Sequence, residues 1–443
     1  MKKTRIGLIL LSLVLVSALL LAGCTSQPAT STVTQTATST VTATAAPKIE
    51  WVTIGLTVPT KGYGTDVGGS MGAGLQVWCD DFNDRGGITI DGVTNFFKCA
   101  MYDNNSWEAA ATLKAVQKGW QEDGVRIWST GAWTVATPAV ASWCLQQGEP
   151  SMVMTWAPCS ALTPEYPNTW GINSWPAYIG QLCYWYGLEH PGAKAATMSP
   201  NMDLFIDAKA YQMIGCLGSG MEIVSDTDFD LMTTDWHPVM APIVASNPDI
   251  IIMSAGSGAS NAYTMQACRE LGYTGDFLAV NLVIDAAKNV VPVEYYENGK
   301  AISPSPDWVL PGNNPEEQYM YRMREAFVQK YPGIWTGDAS ITLFQASLFE
   351  TGVRLANSVE PDKILDALLS TNPVPDPNFG DLYWTGEEVW GRDAVLGVPW
   401  PVGVAEGDYV NPIAYSDWAE FYDANVDIFI DVMTDLNIPI YKP

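Results

Sequence analysis

The sequence predicts an α/β chain of two doubly wound, parallel-sheet lobes. Three observations carry this. Short β-branched runs alternate with helical stripes along most of the chain. That alternation breaks near residue 170 and then resumes. The stretch involved, about 48–443, is also too long for one small core and suits two.

The elements read in order. "IEWVTIGLTV" (49–58) is a strand by its β-branched content, and the glycine-rich "PTKGYGTDVGGS" after it is a loop. Over 68–83, Met71, Leu75, Trp78 and Phe82 share one helical face, and "DRGGI" ends that helix with glycine. "FFKCAMYD" is a second strand, and Ala109, Leu113, Val116 and Trp120 stripe a second helix. "VRIWST", a helix over 139–147 and "PSMVMTW" complete the first run. The second run is "AKAATMS", helix 204–217, "MEIVSD", helix 239–246, "PDIIIMSA", helix 262–271 and "DFLAV". The tail adds helices over 316–331, 339–357 and 361–370, then an irregular segment rich in Trp and Pro. In doubly wound sheets ligands sit beyond the carboxyl ends of strands. The loops of interest are therefore 59–70, 129–138, 155–163, 199–203, 254–261 and 281–285.

The N-terminus sets the location. Lys2, Lys3 and Arg5 precede an apolar run over 6–22, the pattern of a secretory signal and not of a spanning helix. Its ending, Leu21-Ala22-Gly23-Cys24, resembles a bacterial lipobox. That resemblance implies cleavage before Cys24 and a diacylglycerol on its thiol, the strongest nucleophile among side chains. Lipid on one residue holds a protein to a membrane without spanning it. The next segment, "TSQPATSTVTQTATSTVTATAAP", has no charge and reads as a disordered tether.

Composition narrows function. The formal charge is −26. Loss of the signal removes three bases and no acid, leaving about −29, a charge that serves solubility. Nucleic acid is excluded as a partner, because phosphate contacts need clustered Lys and Arg. Eighteen tryptophans are enough to fill cores and also to line a pocket. With Cys24 lipidated, seven cysteines remain. Disulfides are permitted outside the cell, with Cys79–Cys99 and Cys144–Cys159 as candidate pairs. The absence of C-x-x-C and of His/Cys clusters argues against a metal, and no cofactor fingerprint is found.

An enzyme is disfavoured. "GGSMG" fits G-x-S-x-G around Ser70, but about ten residues separate it from the strand that a nucleophile elbow requires. His190 and His237 sit in loop or packing contexts. Asp80-Asp81 and Glu387-Glu388 are adjacent and so diverge on any regular element.

Three stretches together resemble the type I periplasmic binding proteins, in particular the branched-chain amino acid (Leu/Ile/Val) group that serves ABC importers. They are "IGLTVPTKGYGTDVGGSMGAGLQVWCDDFNDRGGI", "YDNNSWEAAATLKAVQKGWQEDGV" and "DFDLMTTDWHPVMAPIVASNPDIII". "GDASITLFQASLFETGVRLANSVEPDKILDALLS" is similar to that group's late helical hairpin. The resemblance implies a Venus flytrap, two lobes joined by crossover hinge strands and closing on a solute. The implied lobes are 49–170 with 301–370, and 171–300 with 371–443. Residues 1–23 are the signal and 24–48 the lipidated tether. Implied partners are a small-molecule solute, ABC permease subunits and the membrane through Cys24, with the chain itself a monomer. A ligand-binding sensor for a membrane kinase or chemoreceptor would use the same fold.

Matched segment by segment, the resemblance implies ligand contacts at Asp66, Trp133, Thr134, Trp156, Ala157, Cys159, Asp203, Ser257 and Asn281. Each has a plainer role beside this one. The tryptophans suit packing, Asp203 a helix cap, Asn281 a turn and Cys159 a disulfide. The sequence departs from the family pattern at Asn281, which stands where the family places an ammonium-binding glutamate. A neutral amide does not pair with ammonium as a carboxylate does. Tryptophans also replace the family's first-lobe hydroxyls. These departures turn expectation from an ordinary amino acid toward an aromatic acid, an amide or a urea-like solute. Mass spectrometry of the membrane-extracted protein should find a chain that begins at Cys24 and carries diacylglycerol. An unmodified Cys24 would contradict the lipobox reading.

Overall fold

The computed structural model describes residues 48–441, except 63, 132–133, 257, 281, 283, 298–299, 307–317 and 408, and the side chains of 285 and 286. Cys24 lies outside the described residues. Within them, residues from 48 onward form one compact unit holding two large sheets and a separate two-stranded one.

The first half of the chain runs β1 (Lys48–Val58), α1 (Thr65–Asp84), β2 (Ile88–Ile90), β3 (Val93–Asp103), α2 (Ala109–Asp123), β4 (Ile127–Ser129), α3 (Thr137–Gln146), β5 (Met152–Thr155) and β6 (Thr169–Ile172). Then follow α4 (Ala177–Glu189), β7 (Lys194–Pro200), α5 (Ile206–Gly218), β8 (Glu222–Phe229), α6 (His237–Ala245), β9 (Ile250–Met253), α7 (Gly258–Glu270), β10 (Asp276–Ala279), α8 (Ile284–Ala287) and β11 (Ala301–Pro304). Next come α9 (Tyr319–Lys330), α10 (Gly337–Ala356), α11 (Pro361–Leu369), β12 (Val374–Asp376), β13 (Gly380–Leu382), β14 (Trp384–Thr385) and α12 (Glu387–Trp390). The chain closes with β15 (Val395–Leu396), β16 (Trp400–Glu406), β17 (Tyr409–Ser416) and α13 (Trp418–Asp435). No helix among the described residues is long and apolar enough to cross a membrane.

The first sheet has the order β14-β15-β6-β5-β4-β1-β3-β2 and the second β17-β16-β11-β10-β9-β7-β8. Their interiors are parallel, and antiparallel pairs occur at the edges. Central strands such as β9, with sequence IIIM, are buried along their whole length, as parallel strands covered on both faces must be.

The predicted stripe of α1 does face the core. Trp78 meets Phe97 and Phe349 at 5.4 and 5.7 Å between ring centroids, joining α1, β3 and α10 in one aromatic cluster. At Gly74 an added Cβ would lie 2.8 Å from the Ala339 carbonyl oxygen, so the two helices need glycine at this crossing. Arg85 then clamps Glu350 of α10 with two hydrogen bonds of 2.8 and 2.7 Å. The late helices α9 and α10 therefore belong to the first lobe.

Lobe boundaries differ from expectation in two places. β11, at 301–304, pairs with β10 in the second sheet and not the first. β14 and β15 return to the first sheet, where β15 pairs with β6, so the second lobe does not resume at 371. The described cysteines are all free, so neither Cys79–Cys99 nor Cys144–Cys159 is formed.

Two lobe crossings lie side by side. β6 and β15 are parallel neighbours, and just beyond them the chain passes from each toward the second lobe. Asn173 pins the two passages. Its amide donates to the Val398 carbonyl at 2.8 Å, and its side-chain oxygen accepts from the Val398 N–H at 2.6 Å. It also donates to Gln181 of α4 at 2.7 Å. All of this is buried, so removing the amide strands backbone polar groups away from water. Asn173→Ala should cost about 2–3 kcal/mol in denaturant unfolding. A loss below about 0.5 kcal/mol would contradict the pinning role.

Candidate functional site

A cavity of about 710 Å³ lies between the lobes, within the range of small-molecule sites. It opens beyond the carboxyl ends of strands, as doubly wound sheets dictate. The first lobe contributes the turn after β1, with Gly62, Gly64 and Asp66, and Trp107 after β3. The start of α10 adds Trp335, Thr336 and Asp338. From the second lobe come Trp175 and Tyr178 at the start of α4, and Phe205 after β7. Ala255 and Gly256 follow β9, while Val280 and Leu282 follow β10. Trp400 and Tyr409 close the wall from β16 and β17.

The aromatic side chains are held in place from behind. Trp175 donates its indole N–H to the Ser254 carbonyl at 3.2 Å and meets Phe205 edge-on, with centroids 5.9 Å apart. Tyr178 packs against Trp400 at 5.2 Å, and Trp335 meets Phe327 edge-on at 5.1 Å. Trp107 lies over the β1 turn. A Cβ at Gly64 would fall 2.4 Å from its indole nitrogen, and Gly64 has φ +81°, so glycine is required there twice over. Asn105, Ser106 and Trp107 have successive φ values of +51°, +58° and +71°. Three non-glycine residues in a row in this region store backbone strain, and such strain concentrates at ligand clamps.

The polar groups are mostly acidic. Asp338 sits in the first turn of α10 and accepts from the Thr336 hydroxyl at 3.4 Å. That hydroxyl is 2.6 Å from the Ser70 hydroxyl of α1. Burial pushes the Asp338 carboxyl up to about 6, the Thr336 hydroxyl pulls it down, and the charge of Asp66 raises it further. Burial and the Asp338 charge likewise raise the Tyr178 phenol. Asp66, in the first turn of α1, is exposed at the cavity. No Lys, Arg or His lines the cavity among the described residues. The guanidinium of Arg324 engages Glu325 at 2.9 Å and the hydroxyl of Tyr409.

Of the residues expected from sequence, Asp66 lines this cavity. Thr134, Trp156, Ala157 and Cys159 are not in its lining. All four are buried, at most 5% exposed. Their loops abut α5 of the second lobe: the Tyr211 hydroxyl donates to the Pro158 carbonyl at 3.2 Å, and Thr134 and Cys159 adjoin Asp207. Burial pushes the Asp207 carboxyl up to about 6 and the Cys159 thiol to about 12. That half of the cleft is a protein seam. Asp203 is exposed and off the cavity, while its neighbours Leu204 and Phe205 line it. Trp133, Ser257 and Asn281 lie outside the described residues. Ser70 is buried against Thr336, and the two histidines are elsewhere, His237 beside Glu270 at 2.7 Å and His190 against Tyr186. Trp175, Tyr178, Trp335, Asp338, Trp400 and Tyr409 were not anticipated.

Asp338 ties this geometry to pH. Its folded pKa of about 6 lies above the ordinary 3.8, so the folded chain holds the proton more tightly than the unfolded chain. Its contribution favours folding below about pH 4 and is lost as pH rises through about 6. In the ligand-free protein, Asp338→Asn should raise Tm at pH 7.5 and change it little at pH 4. Equal losses of Tm at both values would contradict the desolvated carboxylate.

Comparison with known proteins agrees with this architecture. The profile of a family described as "Periplasmic binding protein" matches residues 51–392. A branched-chain amino acid ABC transporter protein from Thermus thermophilus, solved with bound valine, superposes with a TM-score of 0.66 at 15% identity, over 85% of this chain and 99% of that one. The branched-chain amino acid transporter substrate-binding protein of Streptococcus pneumoniae, in complex with isoleucine, gives 0.66 at 16% identity, over 83% and 100%. A solute-binding protein of an ABC transporter from R. palustris, in complex with benzoate, gives 0.64 at 13% identity, over 83% and 97%. No curated protein sequence matches the chain. The family match spans most of both lobes, and the chain belongs to the periplasmic binding proteins.

Proposed function

We propose that this chain is the extracytoplasmic solute-binding lipoprotein of an ABC importer. It captures a small organic solute between its lobes and presents the closed form to permease subunits. The observation that carries this is the interlobe cavity of about 710 Å³, walled by residues of both lobes. A solute seated there touches both walls at once, so binding favours closure by its differential contact with the closed state. The structures solved with valine, isoleucine and benzoate belong to ABC transporter systems and share the fold, which supports the transport reading. In this reading lipid on Cys24 keeps a monomeric binder beside its permease.

The same cavity supports binding without turnover. Ser70 is bonded to Thr336 and has neither histidine beside it, so the serine lacks the base that acyl transfer requires. Asp66 is read as a ligand contact at the cavity rim. Ser257 and Asn281 remain proposed contacts on the strength of their sequence neighbours, since Gly256, Gly258, Val280 and Leu282 all line the cavity.

A thermal-shift screen of the full chain against small organic solutes tests the reading. A true ligand should raise Tm with concentration by mass action, worth about 2.7 kcal/mol at a hundredfold excess over Kd. Trp175→Ala should weaken that ligand at least tenfold. A shift that survives Trp175→Ala unchanged would place the site elsewhere.

A further inference from the structure

The charge balance of the cavity identifies the class of solute, if the chain is the solute binder described above. Among the described residues, the two carboxylates that line the cavity belong to Asp66 and Asp338. The described lining offers no base to an anion. Helix N-termini are the usual alternative anchor for an anion. Of the helices that start at the cavity, α1 and α10 carry their own acid in the first turn, while α4 and α7 carry none. The electrostatic demand of the α1 and α10 N-termini is met within the chain, and the formal charges of the described lining are both negative.

The remainder of the wall is aromatic. Trp175, Phe205, Tyr178 and Trp400 are locked together in two ring pairs on the second lobe, and Trp107 and Trp335 face them from the first. Aromatic faces carry negative quadrupole charge and attract ammonium groups, more strongly where water is excluded. A carboxylate group gains from neither feature, whatever its skeleton gains from the rings. A neutral solute uses the rings but leaves Asp338 uncompensated in its half-buried position.

We propose that the cavity takes an organic cation, an amine or alkylated ammonium on an apolar or aromatic skeleton, with Asp338 as counter-charge and the tryptophan faces around it. The strain of the desolvated carboxylate in the empty cavity is relieved when the cation arrives. The groups that bear on Asp338 are Asp66 from α1, the Tyr178 phenol from α4 and the Thr336 hydroxyl at its own helix start, itself bonded to Ser70. None of these is a base. Cation affinity therefore falls as pH drops through about 6, by about tenfold per unit once well below it.

Calorimetric titration of the full chain with four probes tests this: benzyltrimethylammonium, benzyl alcohol, benzoate and leucine. The first three share a ring and differ in charge, and leucine is the zwitterion. The expected result is that the cation binds at least tenfold tighter than the alcohol, with benzoate and leucine weaker still. Asp338→Asn should shrink the cation-to-alcohol ratio at least tenfold without lowering Tm. Tighter binding of benzoate or leucine than of the cation would overturn the proposal and leave the solute-binding reading standing. A cation preference that persists in Asp338→Asn would overturn the role of Asp338. Failure of all four probes, together with no shift across the wider solute screen, would overturn both readings.

Discussion

Asn173 holds the constraint on which the two-lobed arrangement depends. Two sheets built from one chain must exchange strands, and each exchange exposes backbone polar groups at a place where neither sheet satisfies them. Here two exchanges run side by side, after β6 and after β15. One amide side chain satisfies both polar groups of Val398 and reaches Gln181 on the first helix beyond. Short crossings that are pinned together bend together. A pinned pair of crossings suits the hinge that the proposed closure on a solute requires, with each sheet keeping its register.

What this hinge brings together is chemically one-sided. The seam where Tyr211 meets Pro158 fills one part of the cleft with protein. The other part is left open as a cavity with aromatic walls and two acids. Asp338 is the costly member. Burial raises its pKa, and the Thr336 hydroxyl that donates to it is neutral. Strain in the Asn105–Trp107 turn is a second cost at the same place. Proteins retain such costs where function needs them, because relieving them elsewhere is easy by substitution.

Much of the fold was legible in the sequence, for a physical reason. The stripe Met71, Leu75, Trp78 and Phe82 faces a core on one side, so its period of 3.6 survives in the residue pattern. α4 escaped notice because "AYIGQLCYWYGLE" is apolar nearly all round and buried on nearly every face, which erases the period. The strands from β12 to β17 escaped because β12 to β15 are two or three residues long, β16 and β17 carry Pro, and β15 and β16 find the partners that join them to the two sheets far away in sequence. The site was legible only in part. The loops after β1, β9 and β10, named from the sequence, line the cavity, and so does Asp66. The loops holding Thr134 and Cys159 also follow strands, but long-range packing against α5 seals them, and nothing local in the sequence encodes that. Trp175 and Tyr178 went unseen with α4 itself. Trp335 and Asp338 had a readable signal, the "WTGDAS" at the start of a predicted helix, where an acid in the first turn lies next to an aromatic.

The central claim is that a solute sits between the lobes and touches both. A crystal structure of the full chain with its tightest-binding solute tests this most directly. Solute density is expected in the cavity, in contact with Asp338 or Trp335 on one side and Trp175 or Trp400 on the other. Solute density that touches one lobe only, or lies outside this cavity, would contradict it.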